Sequence, residues 1–375
     1  MSFSIIAIKT LLADRGKFAA ALVGVVFSVV LVNVQGGLFL GLIRKAGMLV
    51  DNSQADIWVG HKHMHNVDFP RDIPRRWLHR VRAVPGVAEA EPYLVGFSEM
   101  TLPSGNYESV VMVGVPRDSS MGRPWNMYAG NSPLDQPHAV VVDVCDGDKL
   151  EEPALGDLRE IGGRRARIVG QTRGVLSFLV TPYVFTSYDQ AMTFLNKDPR
   201  NCSYFLVKVQ PGEDVNDVCR RIMDRTPELD AFPREKYSAL SQQFWLTRTG
   251  IGISFGAATL MGLLVGLIMV AQTLYASVLD RVAEFAAMKA IGANDRQIFR
   301  ILGVQASFMA ISGSLIGFVV VAGLLGISTP RATIEVPPWL SAGSVLLVLG
   351  ICLLAALLPY ERVRKIDPLS VLQGS

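Results

Sequence analysis

Residues 280–300 read DRVAEFAAMKAIGANDRQIFR and form a short charged island between two long apolar segments. This many charged side chains are too costly for the hydrocarbon core of a bilayer, so the island lies outside one. Val282, Phe285 and Ala286 follow the i, i+3, i+4 spacing of one helical face. The first half of the island therefore predicts a compact amphipathic helix between two membrane segments.

The second half of the island carries the signals for a break between two helices. Gly292 stands where the first helix would end, a position that favours glycine. Asn294 and Gln297 have the spacing of a capping box, which starts a new helix. We expect two helical pieces here, and a helix kept in such a loop is typically presented to a partner protein.

Four uncharged apolar runs are each longer than the roughly 20 residues that a helix needs to cross a bilayer. They cover residues 18–43, 249–279, 301–330 and 336–360. The chain has 375 residues, 50% of them hydrophobic, and a mean hydropathy of +0.32, which fits a protein only partly within a membrane. We expect four transmembrane helices.

The placement of Lys and Arg predicts the orientation of these helices. Three segments outside the spans carry three or four such residues, whereas the short loop 331–335 carries only Arg331. The three segments are residues 1–17, predicted to be an amphipathic helix, 280–300 and the tail 361–375. By the positive-inside rule they are cytoplasmic, which places residues 44–248 on the other side of the membrane, outside the cytoplasm.

Residues 44–248 contain two βαβ-like units from distant parts of the chain. The first has strands at 55–60 and 87–97 around a helix at 71–84, and the second has strands at 203–209 and 229–232 around a helix at 214–225. An insert of short strands, residues 116–201, separates them. We expect an extracytoplasmic α+β domain of two lobes, one of them a split ferredoxin-like unit.

Glycines at GxxxG spacing in the spans allow helix backbones to approach closely. Two interpretations stay open, internal packing of one four-helix bundle and a dimer seam through the first two spans. The candidate seam residues are Gly37, Gly41, Gly252, Gly256, Gly262 and Gly266. The spans contain no Asp, Glu, Lys or Arg, which argues against a substrate pathway through this helix set.

Motifs for catalysis are missing from the sequence. No Walker A pattern, nucleophile elbow or H-E-x-x-H occurs, so we expect a non-catalytic subunit without a cofactor. The net charge of +3 gives no case for nucleic-acid binding. Cys145, Cys202 and Cys219 could supply one disulfide or remain buried free thiols.

His61, His63 and His65 form the one cluster that could hold a metal ion. In a strand they would share one face with Asp68 close by, a donor set that suits zinc or copper. The alternative is a solvated loop after a strand ending at Gly60, and no metal site is assigned. The run 162–167, GGRRAR, predicts a β-turn with solvated charges.

Three stretches carry a family resemblance. Residues 281–293 (RVAEFAAMKAIGA), 362–372 (RVRKIDPLSVL) and 84–93 (VPGVAEAEPY) resemble segments of the FtsX/MacB-type permease subunits of ABC transporters. The single four-helix set and the compact outer domain are most similar to the DevC-like exporter permeases. The resemblance extends over nearly the whole chain.

The resemblance implies a mechanical role. Each of two paired permease subunits, identical or different, would dock a cytoplasmic ABC ATPase through the charged island, and the outer domain would engage a periplasmic adaptor protein and an outer-membrane channel. Phe285 and Met288 would act as an apolar plug, with charged residues fixing the register. The implied docking residues are Arg281, Glu284, Phe285, Met288, Lys289, Ile291 and Gly292.

Two functions of different kinds follow from this resemblance. The first is export or extraction of a lipidic, peptide or small-molecule cargo. The second is a signalling subunit that activates a periplasmic enzyme such as a cell-wall hydrolase without transporting anything. The length of the outer segment favours the exporter, and a metal-binding or enzymatic outer domain lacks a second set of ligands.

Overall fold

The structure is a computed structural model that describes residues 9, 11–130, 136–280, 282–290, 294–327 and 334–364. The chain divides into two compact units. The helical unit consists of Met1–Gly41 with Gly252–Ser375, and the outer unit consists of Leu42–Ile251.

Helices and strands are numbered separately in chain order. The helices are α1 Arg15–Asp51, α2 Leu78–Arg82, α3 Tyr188–Phe194, α4 Val215–Arg225, α5 Arg234–Arg248, α6 Ile251–Asp280, α7 Val282–Ala290, α8 Asp295–Ile327, α9 Pro338–Ala355 and α10 Leu357–Arg364. The strands are β1 Ile57–His61, β2 Ile73–Pro74, β3 Val87–Thr101, β4 Tyr107–Val115, β5 Met127–Gly130, β6 Ala139–Asp143, β7 Leu158–Ile161, β8 Arg164–Thr172, β9 Tyr183–Ser187, β10 Asn201–Cys202, β11 Tyr204–Val209 and β12 Leu229–Pro233.

Within the described ranges, four helical segments are long and apolar enough to cross a membrane. They lie in α1, α6, α8, and α9 with the start of α10, which confirms the predicted membrane α-helical fold class. The helix ends differ from the apolar runs. Helix α1 extends beyond residues 18–43 to Asp51, because hydrophobicity marks the part that crosses the bilayer and not where backbone hydrogen bonding stops.

The last apolar run, residues 336–360, is two helices and not one. Helix α9 ends at Ala355 and α10 begins at Leu357. Pro359 lacks the N–H that would bond to the carbonyl of Ala355, so the regular helical ladder cannot continue through this point.

Small and polar residues bring α1 against the other helices of the helical unit. A side chain at Gly262 would overlap Leu31, and one at Gly313 would overlap Val25, so α6 and α8 both approach α1 closely. The Asn33 side-chain amide donates to Ser344 Oγ of α9 at 2.9 Å. Close approach and interhelical hydrogen bonds of this kind hold helices together where lipid supplies no hydrophobic drive.

The outer unit is built on a ten-stranded sheet with one strand shared by two halves. Its order is β12-β1-β11-β3-β4-β9-β6-β8-β5, and β7 pairs with β3 and β8. The first part of β3 pairs with β11, and from Leu94 onward β3 pairs with β4. The sheet thus has two halves, in keeping with the predicted α+β domain of two lobes, but the second half begins in β3 and includes β4, upstream of the predicted insert 116–201.

The first half has the predicted split ferredoxin-like arrangement. Its strands, β12-β1-β11-β3, are all antiparallel to their neighbours, and α2 and α4 connect the two strand pairs. Val218 and Ile222 of α4 pack with Val81 of α2 in one core over the sheet. Asp214 caps α4 by accepting hydrogen bonds from two backbone N–H groups of its first turn.

The helix expected at residues 71–84 is wrong at its start. The structure has β2, then a 3-10 turn at Arg75–Trp77, and only then α2. Pro74 disfavours the helical backbone conformation at the residue before it, so the helix cannot begin upstream of the proline.

The outer unit contains the predicted turn, which lies in the insert, and free thiols. Gly162 and Gly163 both have positive φ, 55° and 74°, and join β7 to β8 as a tight hairpin, which places the arginines after them on a strand. Of the alternatives for the cysteines, the structure has Cys145, Cys202 and Cys219 as free thiols.

Candidate functional site

The charged island forms two helices, as its sequence predicts. Helix α7, nine residues long, lies in sequence between the long helices α6 and α8. The Gln297 side chain accepts a hydrogen bond from the backbone N–H of Asn294 at 3.0 Å, which is one of the two bonds of the predicted capping box at the start of α8. Because α8 begins with a cap of its own, α7 is a separate, defined helix between the two spans.

Helix α7 is packed against the helical unit on one side. Ala286 is fully buried, and Met288 packs against the core that includes Ile298, Leu302 and Leu274. Glu284 is exposed. Any force that moves α7 therefore acts directly on residues of α6 and α8.

Met288 has contacts that the sequence interpretation did not include. The sequence pattern assigned it to an apolar plug; the structure leaves it half-buried with contacts in its own unit, and its docking role remains a prediction. Lys289 is half-buried. The side chain of Phe285 and the residues Arg281, Ile291 and Gly292 lie outside the part of the chain that the structure describes, so their docking role remains a prediction.

The first turns of α8 contribute exposed side chains that the sequence interpretation left out of the docking set. Arg296, Phe299 and Arg300 are exposed. The ring of Phe299 makes an edge contact with Tyr360 of α10, with ring centroids 5.2 Å apart. The position of Arg296, Phe299 and Arg300 just after the predicted cap was the sequence signal that could have added them to the docking set.

An ion pair joins the ends of two long helices in the helical unit. Lys17 near the start of α1 pairs with Asp280, the last residue of α6, and also with Asp14 at 3.2 Å. The hydrogen bonds from Lys17 lower the pKa of Asp14. The opposite charges at two predicted span ends on the same membrane side were visible in the sequence, but their pairing was not.

The glycines proposed for a dimer seam make different contacts. Gly262 and Gly266 lie against Leu31 and Ser28 of α1, and Gly37 lies against Ile334 and Val336 of the same chain. A side chain at Gly256 would meet nothing within 4 Å. Internal packing therefore accounts for Gly262, Gly266 and Gly37. The dimer seam remains a prediction.

The histidine cluster does not form one face of a strand. Strand β1 ends at His61, and His63 has a positive φ of 64°, so the alternation needed to align His61, His63 and His65 stops. Among the described residues, no group of three or more His, Cys, Asp or Glu side chains could hold a metal ion. These observations favour the loop alternative.

The loop after β1 is held by buried aromatic side chains. The hydroxyls of Tyr204 and Tyr237 both donate to the carbonyl of Asn66, at 3.1 and 2.8 Å. The Trp245 indole donates to Asp68, whose side chain is buried. Burial raises the pKa of Asp68 to about 6, although the hydrogen bond from Trp245 lowers it. No pattern in the sequence connects these positions.

Comparison with protein families matches both units. Residues 256–368, which include α7, match the FtsX-like permease C-terminal family. Residues 18–224, more than half of the chain, match the MacB-like periplasmic core domain family. The chain belongs to the FtsX/MacB-type permeases of ABC transporters. Membership implies a multi-pass protein of the inner membrane and an ATP-hydrolysing partner, consistent with the missing Walker A motif.

The mycobacterial relatives of this permease extend over nearly its full length. An uncharacterized ABC transporter permease of Mycobacterium tuberculosis is 26% identical over 356 residues, covering 94% of this chain and 93% of the relative. One of Mycobacterium bovis is 25% identical over 358 residues, covering 92% and 91%. One of Methanocaldococcus jannaschii is 22% identical over 240 residues, covering 60% and 58%.

Solved structures similar to this permease are outer domains. The periplasmic region of MacB from Actinobacillus actinomycetemcomitans has a TM-score of 0.39 and 9% identity, covering 54% of this chain and 96% of that one. The extracellular domain of the noncanonic ABC-type transporter YknZ from Gram-positive bacteria has a TM-score of 0.36 and 12% identity, covering 48% and 98%.

Proposed function

We propose that this permease is the membrane subunit of an exporter that turns the ATP-driven closure of a separate cytoplasmic ATPase into movement of its outer unit. The packing of α7 is the observation that supports this. Ala286 and Met288 tie α7 to the long helices on either side of it, so a partner that displaces α7 displaces those helices too. Cargo need not pass through the spans, which contain no charged residues.

The proposed docking surface combines the outward side of α7 with the first turns of α8. Glu284, Arg296, Phe299 and Arg300 are exposed there. An exposed aromatic ring surrounded by both signs of charge suits a partner groove, in which the ring supplies affinity and the charges fix the register. On sequence grounds Phe285 belongs to the same surface.

The proposal places this surface in the cytoplasm, together with residues 1–17 and 361–375. The excess of Lys and Arg in these segments supports that orientation. The outer unit then faces the periplasm, where it acts on a lipidic, peptide or small-molecule cargo. A second permease subunit, a periplasmic adaptor protein and an outer-membrane channel complete the proposed assembly.

Charge reversal tests the docking surface. Glu284→Lys and Arg300→Glu are each introduced into the full chain, which is purified with its cognate ATPase subunit in nanodiscs. We expect ATPase stimulation by the permease to fall by about tenfold or more, because each change replaces an attractive contact by a like-charge one. Glu361→Lys, an exposed position on α10 outside the proposed surface, is the matched control.

Normal insertion of all three variants, measured by membrane fractionation, keeps the comparison valid. If both reversals leave stimulation at the wild-type level, the docking proposal is wrong. Loss of stimulation in Glu361→Lys alone would move the surface to α10. Transport of cargo into the periplasm by the wild-type complex is the further result that export requires.

A further inference from the structure

One cleft of the outer unit lies where its two sheet halves meet, within the part of the chain that the structure describes. Its volume is about 950 Å³, a size that suits a small organic ligand. One wall is formed by β2, the turn after it and α2, and the opposite wall by the segment after β4. The start of α3 and the segment before β10 close the remaining side.

The lining of this cleft is rich in arginine. A smaller cavity of about 280 Å³ shares Arg75, Tyr188, Asp189 and Pro199 with it. Together the two cavities are lined by seven arginine and lysine side chains against four acidic ones. The arginines are Arg75, Arg76, Arg82, Arg117, Arg164 and Arg200. Concave surfaces with one dominant sign of charge concentrate ions of the opposite sign.

Some of these arginines already have anionic partners. Arg82 pairs with Glu91 at 3.3 Å, and Arg200 holds both oxygens of Asp198. Arg75, Arg76 and Arg117 form no ion pair with any carboxylate of the described residues. Three guanidinium groups around one cleft without carboxylate partners leave several strong N–H donors directed to solvent or to a ligand.

Several contacts hold the wall of the cleft around Arg75 in place. The Arg75 guanidinium lies over the ring of Tyr188, 5.0 Å from the centroid, and the Arg75 backbone N–H donates to the carbonyl of Arg200 at 2.7 Å. The Tyr188 hydroxyl donates to the carbonyl of Asn201 at 3.2 Å, and β10 pairs with β2 beside it. A preorganised arginine loses less conformational entropy when it binds a ligand.

Apolar surface lies beside the arginines. Four prolines line the cleft, namely Pro74, Pro92, Pro116 and Pro199. Their rings, with the face of Tyr188, offer contact to an organic body that carries an anionic group. The planar guanidinium of arginine donates two parallel hydrogen bonds that match the two oxygens of a carboxylate or phosphate. A metal ion or a cationic ligand would not accept these hydrogen bonds.

We propose that this cleft binds an organic oxyanion, a carboxylate or phosphate on a small molecule, through Arg75, Arg76 and Arg117. The site lies in the outer unit, and its existence does not depend on α7 or on an ATPase. Binding can therefore be present or absent whatever the outcome of the docking experiment. The two sources of such an anion are a free solute and the headgroup of a lipid.

The test uses the full chain in nanodiscs and titration calorimetry with three probes. Citrate and inorganic pyrophosphate represent free anions, and dihexanoyl phosphatidic acid represents a lipid headgroup. We expect saturable binding of at least one probe, weakened about tenfold or more by Arg75→Gln and by Arg117→Gln, since each loses a charged hydrogen bond. Arg75→Lys keeps the charge but not the planar guanidinium and is expected to bind with intermediate affinity.

Arg80→Gln is the matched control, because Arg80 is an exposed arginine of α2 that does not line the cleft. It is expected to bind as the wild type does. Tighter binding of phosphatidic acid than of both citrate and pyrophosphate identifies a lipid headgroup as the source of the anion. Tighter binding of either free anion identifies a free solute. The proposal is overturned if no probe binds saturably, or if Arg80→Gln weakens binding as much as Arg75→Gln and Arg117→Gln.

Discussion

Trp245 and Asp68 are joined by a hydrogen bond in which the indole Nε1–H donates to carboxylate Oδ2 at 2.9 Å. Asp68 follows β1 and Trp245 lies on α5, so the bond connects a loop to the helix that ends just before α6 in sequence. Burial raises the pKa of Asp68 to about 6, because removing a carboxylate from water disfavours its charged form. The bond therefore joins a costly buried charge to a neutral donor.

Asp68→Asn is expected to stabilise the outer unit at neutral and alkaline pH. Because folding favours the protonated form of Asp68, this group contributes fully to the stability of the outer unit below its ordinary pKa of 3.8. That contribution is lost as the pH rises through about 6. Asparagine keeps an oxygen that accepts the indole N–H and carries no charge. The gain at pH 8 is at most about 3 kcal/mol and disappears near pH 4.

Thermal unfolding of the full chain at several pH values measures this difference. An equal shift of the melting temperature at acidic and alkaline pH would contradict the titration of Asp68. Asp189→Asn is the control for the removal of an exposed carboxylate of the same unit.

Trp245→Phe is expected to destabilise the wild type more than it destabilises the Asp68→Asn variant. Phenylalanine preserves the ring contact with Phe178, whose centroid lies 4.2 Å away, but removes the donor. A buried charge that loses its hydrogen bond costs about 1–3 kcal/mol or more, whereas a neutral amide that loses it costs less. A double-mutant cycle on melting temperature measures the coupling, and simple additivity would show that the bond carries no special energy.

Gly313→Ala is expected to destabilise the helical unit, whereas Gly323→Ala on the same helix is not. A methyl group at Gly313 would overlap the β-branched Val25, whose side chain cannot rotate away freely, while nothing lies within 4 Å of one at Gly323. Overpacking of this kind costs about 1–3 kcal/mol. Detergent-resistance and melting measurements on both variants make the comparison, and equal stability would refute the close contact.

Met288→Ala separates a structural role from a docking role. If Met288 supports the helical core, the variant melts at a lower temperature with no ATPase present, by an amount that corresponds to about 1–3 kcal/mol for a half-buried side chain. If it acts only as a plug, the permease alone is unaffected and just the stimulation of ATPase activity falls. The packing of Met288 predicts the first result.

Cys202 and Cys219 are expected to resist alkylation in the folded protein at pH 8. Burial raises the pKa of each thiol to about 12, so the reactive thiolate is scarce and enclosed. Unfolding should expose both. Mass spectrometry of the non-reduced, denatured chain after alkylation is expected to show four additions, and two missing additions would indicate a disulfide.

The architecture was largely predictable because it depends on patterns of apolar residues that extend over many positions and can be recognised in a single sequence. Apolar runs locate the four spans, and two βαβ patterns locate the ferredoxin-like half of the sheet. One bond of the capping box at Asn294 was also predicted correctly. Local breaks caused by proline were missed, namely the late start of α2 after Pro74 and the division near Pro359.

The candidate site was less predictable, since it depends on which face of a short helix is covered. The spacing around Met288 suits an inward or an outward direction equally well, and only the packing with Ile298 and Leu302 decides it. The arginine-lined cleft was missed for a related reason. Arg75 and Arg117 are far apart in sequence, and only β3, the strand shared by the two halves of the sheet, brings their segments to one cleft.

The continuity of β3 also determines when the outer unit can fold. Its partner strand β11 ends at Val209, and β12, which completes the same half of the sheet beside β1, ends at Pro233, so this half cannot close until nearly the whole outer unit is available. Until then the early part of β3 has an unpaired edge, which is a hazard for aggregation. Pairing across such a distance along the chain is slow. The first half of the sheet in the outer unit therefore forms late, once β12 is available to pair with β1.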